Sequence, residues 1–585
     1  MNILARGKKN IWWVLPLILV FTVQCFFMVQ KEGYHMDELL SYELSNAQFN
    51  PWIVPTQPVG RLAKYVNEEI NGDTFGETLA NIYGTLADVV QNRGNSKMLQ
   101  YKADVYPEPV WISAGQFQDY LTVDAQDAFQ YLSVYFNVKD DNHPPVHFML
   151  LHTVSSLFRE TIAPFQGQII NMLAILGCCV LLMHLGMLLE AGKVISEGCG
   201  RLYGACAAVL YGVSSGAIAT GLLIRMYGIL TFFCTALFYL HIKKWLEEGF
   251  DKKNKAMIAV TVLGFLTQYF FLFYCIGLAL VTTVLLIGQK RYKELKLYIC
   301  SMILAAVFGV GLFPFALSDV FSSSRGVEAL ENLRGSFADY WIRIQEFGSI
   351  LLTRCFGRPV FALAGAAGIV ALCSAVLWKK KRGLPVFWRK ENWAVGILLV
   401  FPVFGYFLLA AKVSPYLVDR YIMALFPFMA LIVTLLFGAV VRELCSTRIY
   451  LVVVPVLLLG ALNVAFYDGE YLYQGYEDQV EISRAYGDYP CICLYDGTGY
   501  YYNLLEFMEY ERTLLLKLPE LEQRQESEEL AGVDELVVLR KSEVDEEAMY
   551  NALEDYGWKV ERELLAQEDS VYGDTIYLCV RKEDI

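Results

Sequence analysis

Met36-Asp37-Glu38-Leu39-Leu40-Ser41-Tyr42 places two adjacent acids just past the first hydrophobic run of the chain. Ionisable groups where a chain leaves the bilayer are costly enough to suggest function. Interfacial carboxylates that merely mark the exit from lipid are the plainer reading. The run before them, Ile11–Val29, is apolar, of spanning length, and preceded by Arg6, Lys8 and Lys9. Those cations favour a cytoplasmic N-terminus. The run is long for a signal peptide and has no small-residue cleavage site before Gln30, so it is expected to stay as a first span.

The whole chain fits that start. Its 585 residues are 56% hydrophobic and 19% charged, with a mean hydropathy of +0.38. This is too apolar for one soluble domain and too long for one core, so a membrane bundle with a soluble part is expected. The net charge of −13 is uneven: from Asp468 onward about 30 acids face about 10 Lys/Arg, which leaves the remainder net positive. No basic nucleic-acid surface is expected. The 14 cysteines show no CxxC pair and no metal-ligand spacing. They read as buried free thiols, including Cys491 and Cys493, which alternate on a strand.

Residues 30–168 form a first outer loop, and after it the Lys/Arg-rich loops Lys243–Lys255, Lys290–Lys296, Lys379–Lys390 and Arg442–Arg448 should all face the cytoplasm. Spans near 169–189, 203–221, 225–242, 256–271, 273–288, 296–315, 360–378, 392–411, 422–441 and 449–467 satisfy every one of them. They do so only if the apolar run 144–158 does not cross. That run is about 15 residues, short of the roughly 20 a span needs. It reads as a juxtamembrane helix on the outer surface, and the total is about eleven spans. A second outer loop covers 316–358. Residues 468–585 read as a soluble α/β domain outside the membrane, with strands at Cys491–Tyr495, Thr513–Lys517, Glu535–Arg540 and Thr575–Arg581 and a helix at Asp545–Tyr556. Asp496-Gly497-Thr498-Gly499 lacks the spacing of a phosphate loop.

On this topology the notable polar residues gather at the outer ends of spans. A carboxylate of the Asp37-Glu38 pair is suited to general-base work on an acceptor hydroxyl or amine, its basicity raised by partial desolvation. In Asp141-Asn142-His143-Pro144-Pro145-Val146-His147 the prolines suit a rigid helix entry. His143 and His147, four apart, share a helix face as metal ligands do. No third ligand is set by spacing, so a divalent metal stays open, and binding of a phosphate or sugar hydroxyl is the preferred reading. Arg225, in Arg225-Met226-Tyr227, and Arg420, in Arg420-Tyr421, suit a bidentate clamp on a phosphate leaving group. An internal salt bridge or snorkelling to headgroups is the plainer alternative.

Asp37-Glu38 after the first span, Asp141-x-His143-Pro144-Pro145, Arg225-Met226-Tyr227, Gln268-Tyr269-Phe270-Phe271 and Arg420-Tyr421 with Pro427 form an ordered set. Over residues 1–440 that set resembles the bacterial protein-O-mannosyltransferase-like glycosyltransferases of the GT-C superfamily (glycosyltransferase family 39-like). The resemblance implies a seven-span conserved module with juxtamembrane helices in the first outer loop, and polyprenyl-phosphate sugars as donors. It gives Asp37 the catalytic-base position with Glu38 beside it. His143, His147, Arg225, Tyr227, Gln268, Tyr269, Arg420 and Tyr421 then bind donor or substrate. A histidine commonly precedes the family's tyrosine in the fifth span. Gln268 stands there in this chain, which puts a protonatable role at that place in doubt.

The expectation is therefore a polytopic α-helical membrane protein of GT-C fold. Residues 1–467 form the transmembrane glycosyltransferase domain, and 468–585 a small extracytoplasmic α/β domain. It would sit in the cell membrane and move a sugar from a polyprenyl-phosphate-linked donor to a cell-envelope glycan, lipid or protein, with membrane lipids and no nucleic acid as its surroundings. The competing readings are a transporter or flippase of lipid-linked sugars and a non-catalytic receptor. Transporters often show repeated halves and charges near the midplane, whereas these motifs cluster on one surface.

Overall fold

The computed structural model describes residues 3–582, leaving out 51, 57–60, 93–94, 102–105, 251–253, 318, 320–323, 445–448, 524–529, 531 and all but a few positions of 359–392. The chain divides into two compact units. The first takes Met1–Val29, Asp141–His147 and Gln168–Glu470, and the second takes Gln30–Asp140, Phe148–Gly167 and Tyr471–Ile585.

The first unit is a helical bundle. Lipid offers the backbone no hydrogen-bond partner, so apolar segments there close their own bonds as helices. Among the described residues, six helices are long and apolar enough to cross a membrane: Pro164–Ala191, Tyr227–Glu248, Phe271–Gly288, Tyr292–Leu312, Trp393–Val413 and Met423–Val441. Gly200–Gly212 and Ser215–Leu222 make a seventh if the pair, bent by 57°, is one span. The expected first span is the 26-residue helix Ile3–Met28, and two others appear as shorter apolar helices, Lys255–Phe265 and Tyr450–Ala465. The expected span 360–378 lies outside the described residues. Small residues let these helices approach closely: a Cβ on Gly204 would stand 2.8 Å from the Met183 Cα. Thr231, Thr235 and Thr282 return their hydroxyls to carbonyls one turn earlier, at 2.7–2.8 Å. The stretch expected as a second outer loop includes, among its described residues, the helices Ser324–Arg334 and Phe337–Phe356. The second of these buries Phe347, Arg354 and Cys355.

The second unit is built on a six-stranded sheet of order β1-β3-β2-β4-β6-β5. Its strands are β1 (Ile112–Ser113), β2 (Cys491–Leu494), β3 (Arg512–Leu516), β4 (Glu535–Arg540), β5 (Trp558–Leu565) and β6 (Thr575–Arg581). Parallel pairing of β2 with β3 and with β4 puts the Val/Leu/Cys-rich strands in the middle, where both faces are covered. β1 comes from the stretch expected as the first outer loop and pairs antiparallel with β3, Ile112 opposite Thr513. The run Val146–Leu157 is a helix, as expected, and outside the six spanning candidates.

One polar knot is buried in this unit. Glu506, fully buried, accepts from Asn503 Nδ2 at 2.7 Å and Gln479 Nε2 at 3.1 Å. Asp574 beside it accepts from Asn503 Nδ2 and pairs with Lys541, both at 2.6 Å. Burial, with the Asp574 carboxylate second, pushes the Glu506 carboxyl up to about 8. The folded protein thus holds a proton that the unfolded chain releases near pH ~4.5, so this group's stabilisation is complete below that pH and is lost as pH rises through about 8. Glu506→Gln should accordingly raise the unfolding temperature of the full chain at pH 8.5 and change it little at pH 5. Thermal unfolding in detergent at both pH values checks this; an equal effect at the two would contradict it.

Candidate active site

The helix Met36–Asn46 carries the acidic pair and is unusual for its buried polar content: Glu38, Ser41, Glu43, Ser45 and Asn46 are all buried. Each needs a partner, because an unmatched buried polar group costs about 1–3 kcal/mol. Its last turn is held by Asn46 Nδ2 donating to the Leu121 carbonyl at 2.6 Å and Asn137 Nδ2 to the Ala47 carbonyl at 2.6 Å. Its first turn is capped reciprocally. His35 Nδ1 accepts from the Asp37 amide at 3.1 Å, and Glu38 Oε2 accepts from the His35 amide at 2.7 Å.

The two acids have different surroundings. Glu38 is fully buried and its Oε2 lies 3.0 Å from Lys31 Nζ. Lys31 also donates to the Tyr471 carbonyl at 2.7 Å and stands 5.0 Å from the Tyr473 ring centre. Burial draws the Lys31 ammonium below its ordinary range, and Glu38 opposes that shift. The Asp37 side chain keeps 25% of its surface exposed, with Oδ2 at 3.7 Å from His35 Nδ1. Asp37 therefore has a carboxylate accessible to a proton donor, while Glu38 is committed to an internal ion pair.

A second group belongs to the helical bundle. His143 precedes the helix Val146–Leu157 instead of lying on it, because Pro144 drives the residue before it out of helical geometry. The shared helix face expected for His143 and His147 is not formed, although Arg225 acts electrostatically on His147 and stands beside His143. Asp141 Oδ2 is 2.9 Å and Arg225 Nη2 is 3.4 Å from the same His143 Nδ1. One ring nitrogen serves one of these bonds at a time, and the shorter contact assigns Nδ1–H to Asp141. Burial raises the Asp141 carboxyl, but His143 and Arg225 outweigh it and hold the group below its usual range. Burial, then the Arg225 and His143 charges, push the His147 imidazole down to about 3, so His147 is neutral at physiological pH.

Arg225 is buried in the break between the helices Ser215–Leu222 and Tyr227–Lys243, and buried Tyr227 opens the second of them. Gln268 is turned inward, its Oε1 accepting from the Phe270 amide at 2.7 Å. Tyr269 Oη donates to Asp319 Oδ2 at 2.6 Å. Phe270 packs on Tyr421 with ring centres 5.3 Å apart, and the Arg420 guanidinium stands 5.5 Å from the Tyr421 ring centre. The bundle thus groups Asp141, His143 and His147 about Arg225, and Tyr421 against the Gln268–Phe270 turn.

No family model matches the sequence, and neither does any curated relative. The structure of ArnT from Cupriavidus metallidurans bound to undecaprenyl phosphate is similar, with a TM-score of 0.51 over 97% of this chain and 98% of that one, at 11% identity. The same protein in the apo state aligns over 80% of this chain and 94% of that one, at 10% identity and a TM-score of 0.45. The chain shares the fold of that undecaprenyl-phosphate-bound structure along nearly its whole length. That fold contains, among the described residues, six helices long and apolar enough to cross a membrane, and a small sheet domain built mostly from the C-terminal part.

Several residues of this chain have roles that its sequence did not announce. Lys31 is separated from Glu38 by a folded-back stretch, and His35 replaces the usual Ser, Thr, Asp or Asn of a cap. A lysine just past a span end is the one local signal for Lys31. Arg354 joins Asp419 at 2.8 Å and Asp468 at 3.1 Å, and also pairs with Glu470. Among the described residues, no three His, Cys, Asp or Glu side chains are grouped as a metal site.

Removing one partner of a buried pair strands the other, at about 3–5 kcal/mol. Glu38→Gln should destabilise the protein by that order, and adding Lys31→Met should recover much of it, because glutamine still accepts from the His35 amide and no charge remains. Unfolding in detergent of the three variants reads the coupling; additive effects would contradict the pair.

Proposed function

We propose that this chain is an integral-membrane glycosyltransferase that takes a sugar from a polyprenyl-phosphate-linked donor and transfers it to a cell-envelope glycan, lipid or protein on the outer face of the membrane. The observation that carries the reading is the fold shared along nearly the whole chain with ArnT, whose crystal structure holds undecaprenyl phosphate. The exposed carboxylate of Asp37 supports it from within the chain.

Asp37 is the general base. It takes the proton of the acceptor hydroxyl or amine as that atom forms its bond to the anomeric carbon and the bond to the phosphate oxygen breaks. The leaving group carries away the electron pair and needs positive charge. Arg225 and Arg420 are the residues assigned to it, since guanidinium matches phosphate oxygens bidentately. Glu38 acts through the ion pair that orders the Asp37 turn. The imidazoles and phenols of His143, His147, Tyr227, Tyr269 and Tyr421, with the Gln268 amide, serve donor or acceptor hydroxyls by hydrogen bonding. A divalent metal at His143 and His147 would need ligands beyond these two.

The test uses the purified full chain with a panel of undecaprenyl-phosphate hexoses and pentoses, and with envelope lipid, glycan and protein fractions as acceptors. Asp37→Asn should keep donor binding and lose about 10²–10⁴ in transfer rate. Wild-type rates in Asp37→Asn would remove Asp37 from the chemistry.

Lysine keeps the charge of Arg225 and Arg420 but loses the fork, so each Arg→Lys variant should use donor less well. Full activity in both, measured as transfer against donor concentration, would overturn the phosphate assignment.

A further inference from the structure

The C-terminal part of the second unit reaches the chain just ahead of Asp37 at two points. Tyr572 Oη donates to the Tyr34 carbonyl at 2.6 Å and accepts from the Tyr34 amide at 3.0 Å. One phenol therefore fastens both backbone groups of a residue three positions before the acid. Tyr502 Oη lies 3.5 Å from His35 Nε2, and the two rings meet edge to face at 5.7 Å. His35 Nδ1 accepts from the Asp37 amide. A neutral ring that accepts at Nδ1 carries its proton on Nε2, so the bond to Tyr502 runs from Nε2–H to the phenol oxygen. Tyr502 thereby selects the tautomer that caps the Asp37 turn.

Both tyrosines are themselves anchored. Their rings pack at 4.8 Å, and Tyr476 meets Tyr572 at 4.9 Å. The turn that carries Tyr572 is tied by Ser570 Oγ, which accepts from the Asp574 amide at 3.0 Å, and by Gln479 Oε1, which accepts from the Val571 amide at 3.2 Å. The residue after Tyr502 is Asn503, a member of the buried knot with Glu506, Asp574 and Lys541. Side chains whose supports are locked in this way hold a functional group to the tolerance that chemistry needs.

We propose that the C-terminal α/β domain is a positioning device for Asp37, with Tyr572 and Tyr502 as its positioning residues. This rests on the reading of Asp37 as general base. Tyr572 sets the path of the backbone into the helix Met36–Asn46, and Tyr502, through His35, sets the first turn. Neither touches the reacting atoms; both act through the direction of the Asp37 carboxylate. A misplacement of about 1 Å costs on the order of 10²-fold in rate, so losing a phenol oxygen that grips the backbone should lower turnover by about tenfold or more.

The experiment is a kinetic cycle on the purified full chain, with the undecaprenyl-phosphate sugar of the panel that turns over best. Tyr572→Phe keeps the ring packing and removes only the two hydrogen bonds. It should lower kcat by about tenfold or more with KM for the donor unchanged. Placed in the Asp37→Asn background, the same substitution should cost nothing further, because a residue that acts only through Asp37 has nothing left to position. Tyr502→Phe should behave alike with a smaller loss. Equal losses from Tyr572→Phe in the two backgrounds would overturn the proposal, as would wild-type kcat in both Phe variants. A Tyr572→Phe protein that unfolds early leaves the decision to Tyr502→Phe in the same cycle. Wild-type rates in Asp37→Asn alone would instead sink the general-base reading, so the two failures are distinguishable.

Discussion

A buried ammonium left without its carboxylate destabilises a protein by about 3–5 kcal/mol, and Lys31 meets that constraint with Glu38 at 3.0 Å. Around this pair the beginning of the second unit is ordered. Lys31 binds the Tyr471 carbonyl, and Glu38 binds the His35 amide. The Glu32 amide and carboxylate both bond to the chain between Leu472 and Gly475. The consequence falls on Asp37. Its neighbour's carboxylate is consumed inside the protein, so the adjacent acid is turned to the surface with a quarter of its side chain exposed. Two acids in sequence thus divide between holding the turn and keeping a carboxylate part-exposed at the surface.

The helical bundle obeys the same rule that a charge in a greasy protein is matched. Arg354 gathers Asp419, Asp468 and Glu470. Tyr269 meets Asp319, and Arg225 stands by Asp141 and His143. Every candidate donor-binding residue lies at a helix end or break. Arg225 and the Gln268–Phe270 turn sit in such breaks, between Leu222 and Tyr227 and between Phe265 and Phe271. The fold supplies these breaks; the identity of the side chains in them gives the chemistry proposed above.

Hydrophobic pattern carried much of the architecture, because apolar runs and alternating β-rich runs are local. The helices Pro164–Ala191, Phe271–Gly288 and Trp393–Val413 and the strands β2, β3, β4 and β6 lie where periodicity and composition put them. β5 was hidden by Lys559-Val560-Glu561-Arg562-Glu563, whose charges suit an edge strand with solvent on both faces. β1 is two residues long and meaningful only through its pairing with β3, some 400 positions away in sequence. Of the candidate site, Asp37 and the three Arg/His-bearing motifs were legible as unusual residues at span ends. The Lys31–Glu38 pair, the His35 cap and the hold of Tyr572 on Tyr34 were not, since each depends on tertiary closure. The bond between Tyr572 and Tyr34 spans 538 positions, and no local pattern encodes it.

A transferase and a carrier of lipid-linked sugars differ in what leaves the lipid, so the most direct measurement uses the purified chain in proteoliposomes. Undecaprenyl phosphate bearing a labelled sugar is placed in the bilayer and envelope acceptor fractions are supplied outside. The account predicts that label leaves the lipid for the acceptor and that free undecaprenyl phosphate appears in equal amount. Intact donor crossing the bilayer, with the label still on its lipid and no free undecaprenyl phosphate formed, would contradict it.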